Sequence, residues 1–272
     1  MNKTFSLIGT GKIGWALSGL LTDRGWKIVT VHDASEQKVK HYQNHFAPFF
    51  LDKNQFLSPT CLFICIKDDN FQELLTEISS NPIWKASHII HTSGFHNARI
   101  LKPLQKSFYA EIHSFHPMIS VIDTDPEKGK VLLQKAWWAL SGDNPEWMKA
   151  WADALLLKNF FLPDEKKDFY HAAAVMTANL IIGVLRGAET IASKADISPE
   201  SYQKIFLPLV DSVVEHIHTV GLQSALGGPI VRKDYALLER EKEALKQAGL
   251  VDEYAMYDLL SNYLIQKIQN TE

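Results

Sequence analysis

Cysteine is nearly absent: Cys61 and Cys65 are the only two in 272 residues. Both lie in one apolar run, so no disulfide framework is available and two buried thiols are expected. Basic runs are missing too. Lys and Arg total 28 against 31 Asp and Glu, a net charge of −3, which argues against a nucleic-acid partner. There is no internal repeat, low-complexity segment or flexible linker. The N-terminus has no uninterrupted apolar core, because Gly9, Gly11 and Gly14 break it, so a signal peptide is not expected. The most apolar long stretch, Ala172 to Leu185, carries Thr177 and Asn179 and reads as too short to span a bilayer. No membrane partner and a cytoplasmic location are the resulting expectations. What remains is an ordinary globular composition, 46% hydrophobic and 22% charged.

The most informative stretch is residues 4 to 33. Thr4 to Ile8 is a short apolar run of strand formers. Gly9-Thr10-Gly11-Lys12-Ile13-Gly14 follows at once, then apolar residues at helical spacing, then a second strand-like run from Trp26 to Val31 that ends at His32-Asp33. Strand, glycine turn, helix, strand and acid are the context in which G-x-G-x-x-G binds a dinucleotide. Gly9 permits the tight turn, Gly11 lets a pyrophosphate approach the backbone, and Gly14 allows close packing of helix on strand. The helix N-terminus offers unpaired N–H groups and a positive dipole end. Asp33 stands 19 residues after Gly14, where an acid receives the ribose 2′-OH, which favours NAD over NADP. Ser35 and Lys38 follow closely and could hold a 2′-phosphate instead. Asp33 could also simply cap the helix that starts near Ser35.

Further strands are expected at residues 60–66, 87–91, 109–114, 135–140 and 160–162, with helices between most of them. Continuous apolar runs suit parallel strands buried on both faces. The pattern predicts an α/β, doubly wound, mostly parallel sheet of Rossmann type over residues 1–164. Strand signals end at about Pro163, and residues 165–272 read as a smaller all-α domain. Its first helix, Phe169 to Lys194, is apolar nearly all round and should be buried on most sides. A helix opened by Ser198-Pro199, a third from Phe206 to Val220, one capped by Asp234 and a last from Tyr254 to Ile268 complete it. So much apolar surface in so small a domain suggests homodimerisation through it.

The expected strand ends are polar: Lys67-Asp68-Asp69, His91-Thr92-Ser93-Gly94 and Ser114-Phe115-His116-Pro117. In a doubly wound sheet, ligands bind there. His116 is the acid/base candidate of this half, and Ser93 a hydrogen-bonding one. Equally, His116 could fix a turn before Pro117, and Ser93 a turn before Gly94. His171 and Asn179, with Val175 between them, share one helix face, where unpaired polar groups would be costly. Arg232 and Lys233 could pair with a substrate carboxylate or form a solvated cationic surface. His91, His113, His116 and His171 could meet around a metal, but none is expected, since His113 and His116 would point to opposite faces of a strand.

Tyr170 to Val175 with Asn179, and Ala225 to Ile230 with Arg232 and Asp234, resemble the helical half of the proteins that carry domain of unknown function 2520. Lys67-Asp68-Asp69, Thr92-Ser93-Gly94 and His116-Pro117 resemble that family's strand-end motifs. The family is similar to pyrroline-5-carboxylate reductases and, more distantly, to 3-hydroxyisobutyrate dehydrogenases. The resemblance implies a nicotinamide-linked oxidoreductase that dimerises through its helical half. Hydroxyacid dehydrogenases carry a lysine one turn before the asparagine matching Asn179; here that place is Val175. Gly227 and Lys233 stand where the family has threonine and glycine.

The expected function is therefore hydride transfer between NAD or NADP and a small C=O or C=N substrate. The cofactor would lie over Gly9, Thr10, Gly11, Lys12, Ile13 and Gly14, with Asp33, Ser35 and Asp68 nearby. His116 or His171 would handle the proton, and Asn179 and Ser93 would orient the substrate. The alternatives are a deazaflavin-linked NADP oxidoreductase and a non-catalytic, dinucleotide-binding redox sensor.

Overall fold

The computed structural model describes residues 2–51, 59–120 and 125–269. The chain forms two compact units, residues 1–174 and 175–272.

The first unit is built on a seven-stranded sheet. Its strands are β1 (Thr4–Ile8), β2 (Lys27–His32), β3 (Cys61–Ile64), β4 (His88–His91), β5 (Glu111–Pro117), β6 (Trp137–Gly142) and β7 (Lys158–Phe161). They lie in the order β2-β1-β3-β4-β5-β6-β7. All neighbours are parallel except β5 and β6. The helices are α1 (Lys12–Asp23), α2 (Glu36–His45), α3 (Phe71–Ile78), α4 (Lys102–Phe108), α5 (Pro126–Lys135), α6 (Pro145–Ala154) and α7 (Lys167–Val175). One core gathers Leu17, Leu20 and Leu21 of α1 with Leu133 of α5 and Met148 and Trp151 of α6. A second gathers Leu74, Leu75 and Ile78 of α3 with Leu104 and Phe108 of α4. The strands feed both cores, with Phe5 and Leu7 in the first and Ile8 and Leu62 in the second. That two-sided burial is why they read as unbroken apolar runs.

The expected α/β, doubly wound architecture is therefore present. The strand order reverses between β1 and β3, so the switch point lies at the turn after β1. One helix was not foreseen. Helix α5 joins β5 to β6, and its Asp125 N-cap accepts from Glu127 N at 3.0 Å. Its start signal, Asp125-Pro126-Glu127, is legible in the sequence. Asp68–Asn70 forms a short 3-10 turn, and Asn70 then stands at the N-cap without a side-chain bond.

The second unit contains a π-helical turn (Met176–Leu180), α8 (Ile181–Ser193), α9 (Pro199–Val220), α10 (Gly228–Val231), α11 (Tyr235–Gln247) and α12 (Val251–Gln269). The two helices expected between Ser198 and Val220 are one helix, α9, with Pro208 inside it. Pro208 removes one backbone bond, and the intact turns on either side carry the helix through. Asp234 caps α11 as expected, accepting from Leu237 N at 3.2 Å.

The expectation that the first apolar helix is buried does not hold. Met176 is 67% exposed, Leu180 55% and Ile182 55%. A unit of this size has too few neighbours to surround a helix that is apolar on every side. The helical run from Asp164 to Ser193 is also 30 residues long, enough by length and composition to cross a membrane, although the stretch from Ala172 to Leu185 read as too short.

The glycine turn after β1 leaves no room for a side chain at two positions. A Cβ on Gly14 would stand 2.1 Å from the Gly9 carbonyl oxygen. Gly14→Ala should therefore cost about 2–3 kcal/mol of stability, read as a lower urea midpoint at unchanged slope.

Candidate functional site

The turn after β1 brings three chain segments together. Gly9 has φ +94°, and a Cβ there would lie 2.3 Å from the Cys65 carbonyl oxygen at the end of β3. Its N–H donates to His32 O at 2.8 Å, at the end of β2. The chain then enters α1 through Gly11, the N-cap, which has no side chain to satisfy the first turn's N–H groups. A Cβ on Gly11 would meet nothing within 4 Å. The protein itself thus demands glycine at positions 9 and 14 but not at 11. The open space over Gly11, beside the N–H groups of a helix start, fits a diphosphate. Lys12 is exposed there, and Ile13 packs against the core beneath.

Asp33 braces the turn. Its Oδ2 accepts from Thr10 N and Thr10 Oγ1, both at 2.8 Å, and its Oδ1 accepts from Ser35 N at 3.0 Å. The carboxylate ties the glycine turn to the end of β2. Burial works to raise its pKa, but the hydrogen bonds from Ser35 and Thr10 hold it below the usual carboxylate range. Ser35 is itself the N-cap of α2, accepting from Lys38 N at 3.4 Å. The cap expected near Ser35 is thus Ser35's own hydroxyl.

A second group of polar side chains gathers beyond the carboxyl ends of β4 and β5, the sheet edge that also carries the glycine turn. Gly94 is its centre. A Cβ on Gly94 would lie 2.8 Å from His116 Nε2 and 3.1 Å from His171 Nδ1. The two candidate histidines therefore meet over one glycine. His116 Nδ1 shares a 2.7 Å hydrogen bond with the Tyr170 hydroxyl. His171 Nδ1 is buried without a hydrogen-bond partner. An orphaned ring nitrogen aimed at a glycine-lined space is what a ligand contact would satisfy.

Lys167 completes the group, and sequence reading missed it. It is only 2% exposed and donates to Ser114 Oγ on β5. Burial brings its pKa down to about 8, against the pull of Asp164 and Asp68. The signal was present: Lys167, His171, Val175 and Asn179 follow one another at intervals of four. Burial, the Lys167 charge and His171 together push His116 down to about 4. Burial raises Tyr170 to about 12.

The remaining expected residues divide. Ser93 Oγ accepts from Phe95 N at 3.1 Å and His96 N at 2.9 Å, so it holds its own turn. His91 is fully buried, with Nδ1 accepting from Ser93 N and Nε2 facing Asn97 O. Asp68 is exposed, and its carboxylate acts on Lys167 and His116 through charge. Cys61 and Cys65 are free thiols, as expected; burial pushes Cys65 up to about 12. Asn179, Arg232 and Lys233 belong to the second unit, where all three are exposed. Asn179 sits in the π-helical turn, a distortion frequent at functional sites. Arg232 closes α10, and Lys233 follows with φ 57°. Of the four histidines weighed for a metal, His91 and His116 are held by other groups, and His113 faces His88.

With this geometry in place, the likeness to known proteins can be read. Residues 4–93 match the family described as NADP oxidoreductase, coenzyme F420-dependent, and residues 138–264 match DUF2520, a domain of unknown function. No curated protein matches it. Among solved structures it resembles protein TM1727 from Thermotoga maritima, at 20% identity and a TM-score of 0.75, over 98% of this chain and 99% of that one. It also resembles a reductive aminase from Aspergillus terreus in complex with NADPH, at 14% identity and 0.64, over 98% and 95%. A third is 1-pyrroline-5-carboxylate reductase from Streptococcus pyogenes, at 16% and 0.61, over 97% and 98%. At these identities the likeness is one of fold. The match of residues 4–93 supports an NAD(P)-linked oxidoreductase, and the NAD preference expected from Asp33 gains no support from it.

The buried neutral histidines set an acid limit on stability. His91 and His116 have depressed pKa values in the fold and ordinary ones near 6.5 when unfolded. Above pH 6.5 neither state binds the proton. Below it the unfolded chain does and the folded chain does not, so stability falls as pH drops from 6.5 towards 4. Each histidine should contribute up to about 1.4 kcal/mol per pH unit in that window. Urea unfolding at pH 7 and pH 5 measures the slope, and His116→Gln should reduce it.

Proposed function

We propose that the protein is an NADP(H)-dependent oxidoreductase acting on a small C=O or C=N substrate, with its proton chemistry in the group around Gly94. The observation that carries this reading is the pairing of His116 and His171 over Gly94, on the sheet edge that also holds the open Gly11 turn. A dinucleotide lying along that edge would run from the α1 N-terminus towards β4 and β5. When bound, it supplies the hydride chemistry. The chain's own residues do the rest.

Asp33 holds the turn through Thr10 and Ser35, which leaves its Oδ2 committed. Two of the carboxylate's lone pairs are thus taken up by Thr10 and one by Ser35, so Asp33 is only in part available to a ribose. The Ser35 hydroxyl and Lys38, in the first turn of α2, are the groups suited to a 2′-phosphate. The description of the matched family and the NADPH complex of the reductive aminase point the same way.

The proton is reassigned. With its pKa at about 4, His116 is neutral at pH 7 and is a poor acid there. Lys167, at about 8, is the group poised near neutral pH. In this reading Lys167 delivers the proton through Ser114, and His116 and His171 orient the substrate. A C=N group becoming an amine, or a C=O becoming an alcohol, takes up one proton with the hydride. The pyrroline-5-carboxylate reductase and the reductive aminase favour the C=N case. A second reading rests on the match of residues 4–93: reduced deazaflavin delivers the hydride to NADP. A deazaflavin titration that leaves its absorbance unchanged would remove it.

The helical unit fits self-association. Leu180, Ile182, Leu209 and Val213 are each about half exposed or more, and a second copy supplies the cover that one chain lacks. A soluble cytoplasmic homodimer accounts for this surface without a membrane. Sedimentation should show a dimer, and Ile182→Glu with Val213→Glu should give a monomer.

Titration with NADPH and NADH tests the central claim. NADPH should bind at least tenfold tighter, and Lys38→Ala should narrow the difference. Gly11→Ala should keep the unfolding midpoint within experimental error yet lose nucleotide binding, because its Cβ enters space that only a ligand would fill. If Gly11→Ala and the wild type bind both coenzymes equally, the nucleotide reading fails. Once a substrate is found, Lys167→Met should lower kcat about 100-fold or more and abolish the pH dependence near 8.

A further inference from the structure

The amino ends of β4 and β5 carry a cluster that the proposed reaction does not use. His88 opens β4, and Glu111 opens β5 with His113 two residues on, so that both face the same side. His88 Nδ1 stands 3.2 Å from His113 Nε2 and 3.2 Å from Glu111 Oε2, and the last two are 3.8 Å apart. Three potential ligand atoms thus lie together.

The separations identify what would fit. A triangle with sides of 3.2, 3.2 and 3.8 Å has a circumradius, the product of the sides over four times the area, of about 2.0 Å. That matches zinc–imidazole and zinc–carboxylate bond lengths of about 2.0–2.1 Å. Ligand atoms around a tetrahedral ion at that distance lie about 3.3 Å apart, and cis ligands of an octahedral ion about 3.0 Å. The observed spacing favours four-coordination.

The surroundings hold the three groups in place. His113 is fully buried, and no hydrogen bond satisfies the buried Glu111 Oε2. Asn144 Nδ2 donates to the other carboxylate oxygen, Oε1, at 3.2 Å, which leaves Oε2 turned towards the histidines. Asn144 also caps α6, and Trp147 in that first turn stacks on His88 at 3.5 Å and 10°. The same indole lies 4.8 Å from His113 at 20°. Burial disfavours protonation of either imidazole, and the neutral form is the one that ligates.

We propose that His88, Glu111 and His113 form a binding site for one zinc-class divalent cation at the amino edge of the sheet, remote from the nucleotide turn. Two histidines and a monodentate glutamate leave a fourth position for water, on the side where Glu111 is 41% exposed. The ion would clamp β4 to β5 beneath α6. It departs from the sequence expectation of no metal, which considered His113 only together with His91, His116 and His171.

Tag-free protein stripped with a chelator and titrated with Zn2+ and Co2+ provides the test. The expected result is one ion per chain, a visible Co2+ absorption of four-coordinate intensity, a raised unfolding midpoint and altered tryptophan fluorescence. Glu111→Gln and His88→Ala should each weaken binding at least 100-fold. Glu111→Gln is nearly isosteric and partly exposed, so it remains informative if His88→Ala unfolds. His41→Ala with His45→Ala, an exposed pair one turn apart on α2, should leave the signal intact. Binding that survives Glu111→Gln, or is lost only with the α2 pair, or a Co2+ spectrum of six-coordinate intensity, would overturn the assignment.

Discussion

The backbone contact between Gly9 and its neighbours is the constraint on which the rest of the first unit depends. Gly9 lies against the Cys65 carbonyl, and Gly14 against the carbonyl of Gly9. No side chain can enter either contact. The ends of β1 and β3 and the start of α1 are thereby locked within a few ångströms of one another, and Asp33 adds the end of β2 through Thr10. The fold thus makes a helix N-terminus open at one sheet edge a condition of its own packing. A dinucleotide site on this framework needs only that position 11 stay empty.

The strands were legible because of where they lie. The central strands β1 and β3 are buried throughout, so their apolar runs are continuous and no helical pattern competes. Helix α5 was missed for the opposite reason: Glu127, Lys128, Lys130 and Lys135 make it look like a polar connection, although Asp125-Pro126-Glu127 announces its start. Lys167 was hidden in the same way, inside Asp164-Glu165-Lys166-Lys167, which reads as solvated charge. Spacing could have rescued it, since it stands one turn before His171. Burial, which makes it chemically interesting, cannot be read from composition.

Asp33 shows a different limit. Its place after β2 was correct, but place alone does not say which hydrogen bonds a carboxylate has already accepted. Three internal donors make Asp33 a brace for the loop as well. The helical unit shows a third limit. Its hydrophobicity was legible, and burial was inferred from it, yet the chain alone does not cover that surface.

Strands β4 and β5 carry four histidines in a repeated arrangement, His88 and His91 on one, His113 and His116 on the other. The register sets His88 opposite Glu111, and His91 opposite Ser114. A spacing of three puts the two histidines of each strand at opposite ends and on opposite faces. Burial suppresses the charge of all four, so their chemistry is decided by the neighbour each end supplies. At the carboxyl end that neighbour is a buried lysine, which repels further positive charge and suits anionic or proton-accepting ligands. At the amino end it is a glutamate, which leaves lone pairs facing lone pairs and suits a cation. One side-chain type, in one desolvated setting, is thereby fitted to two opposite kinds of ligand on the two edges of a single sheet.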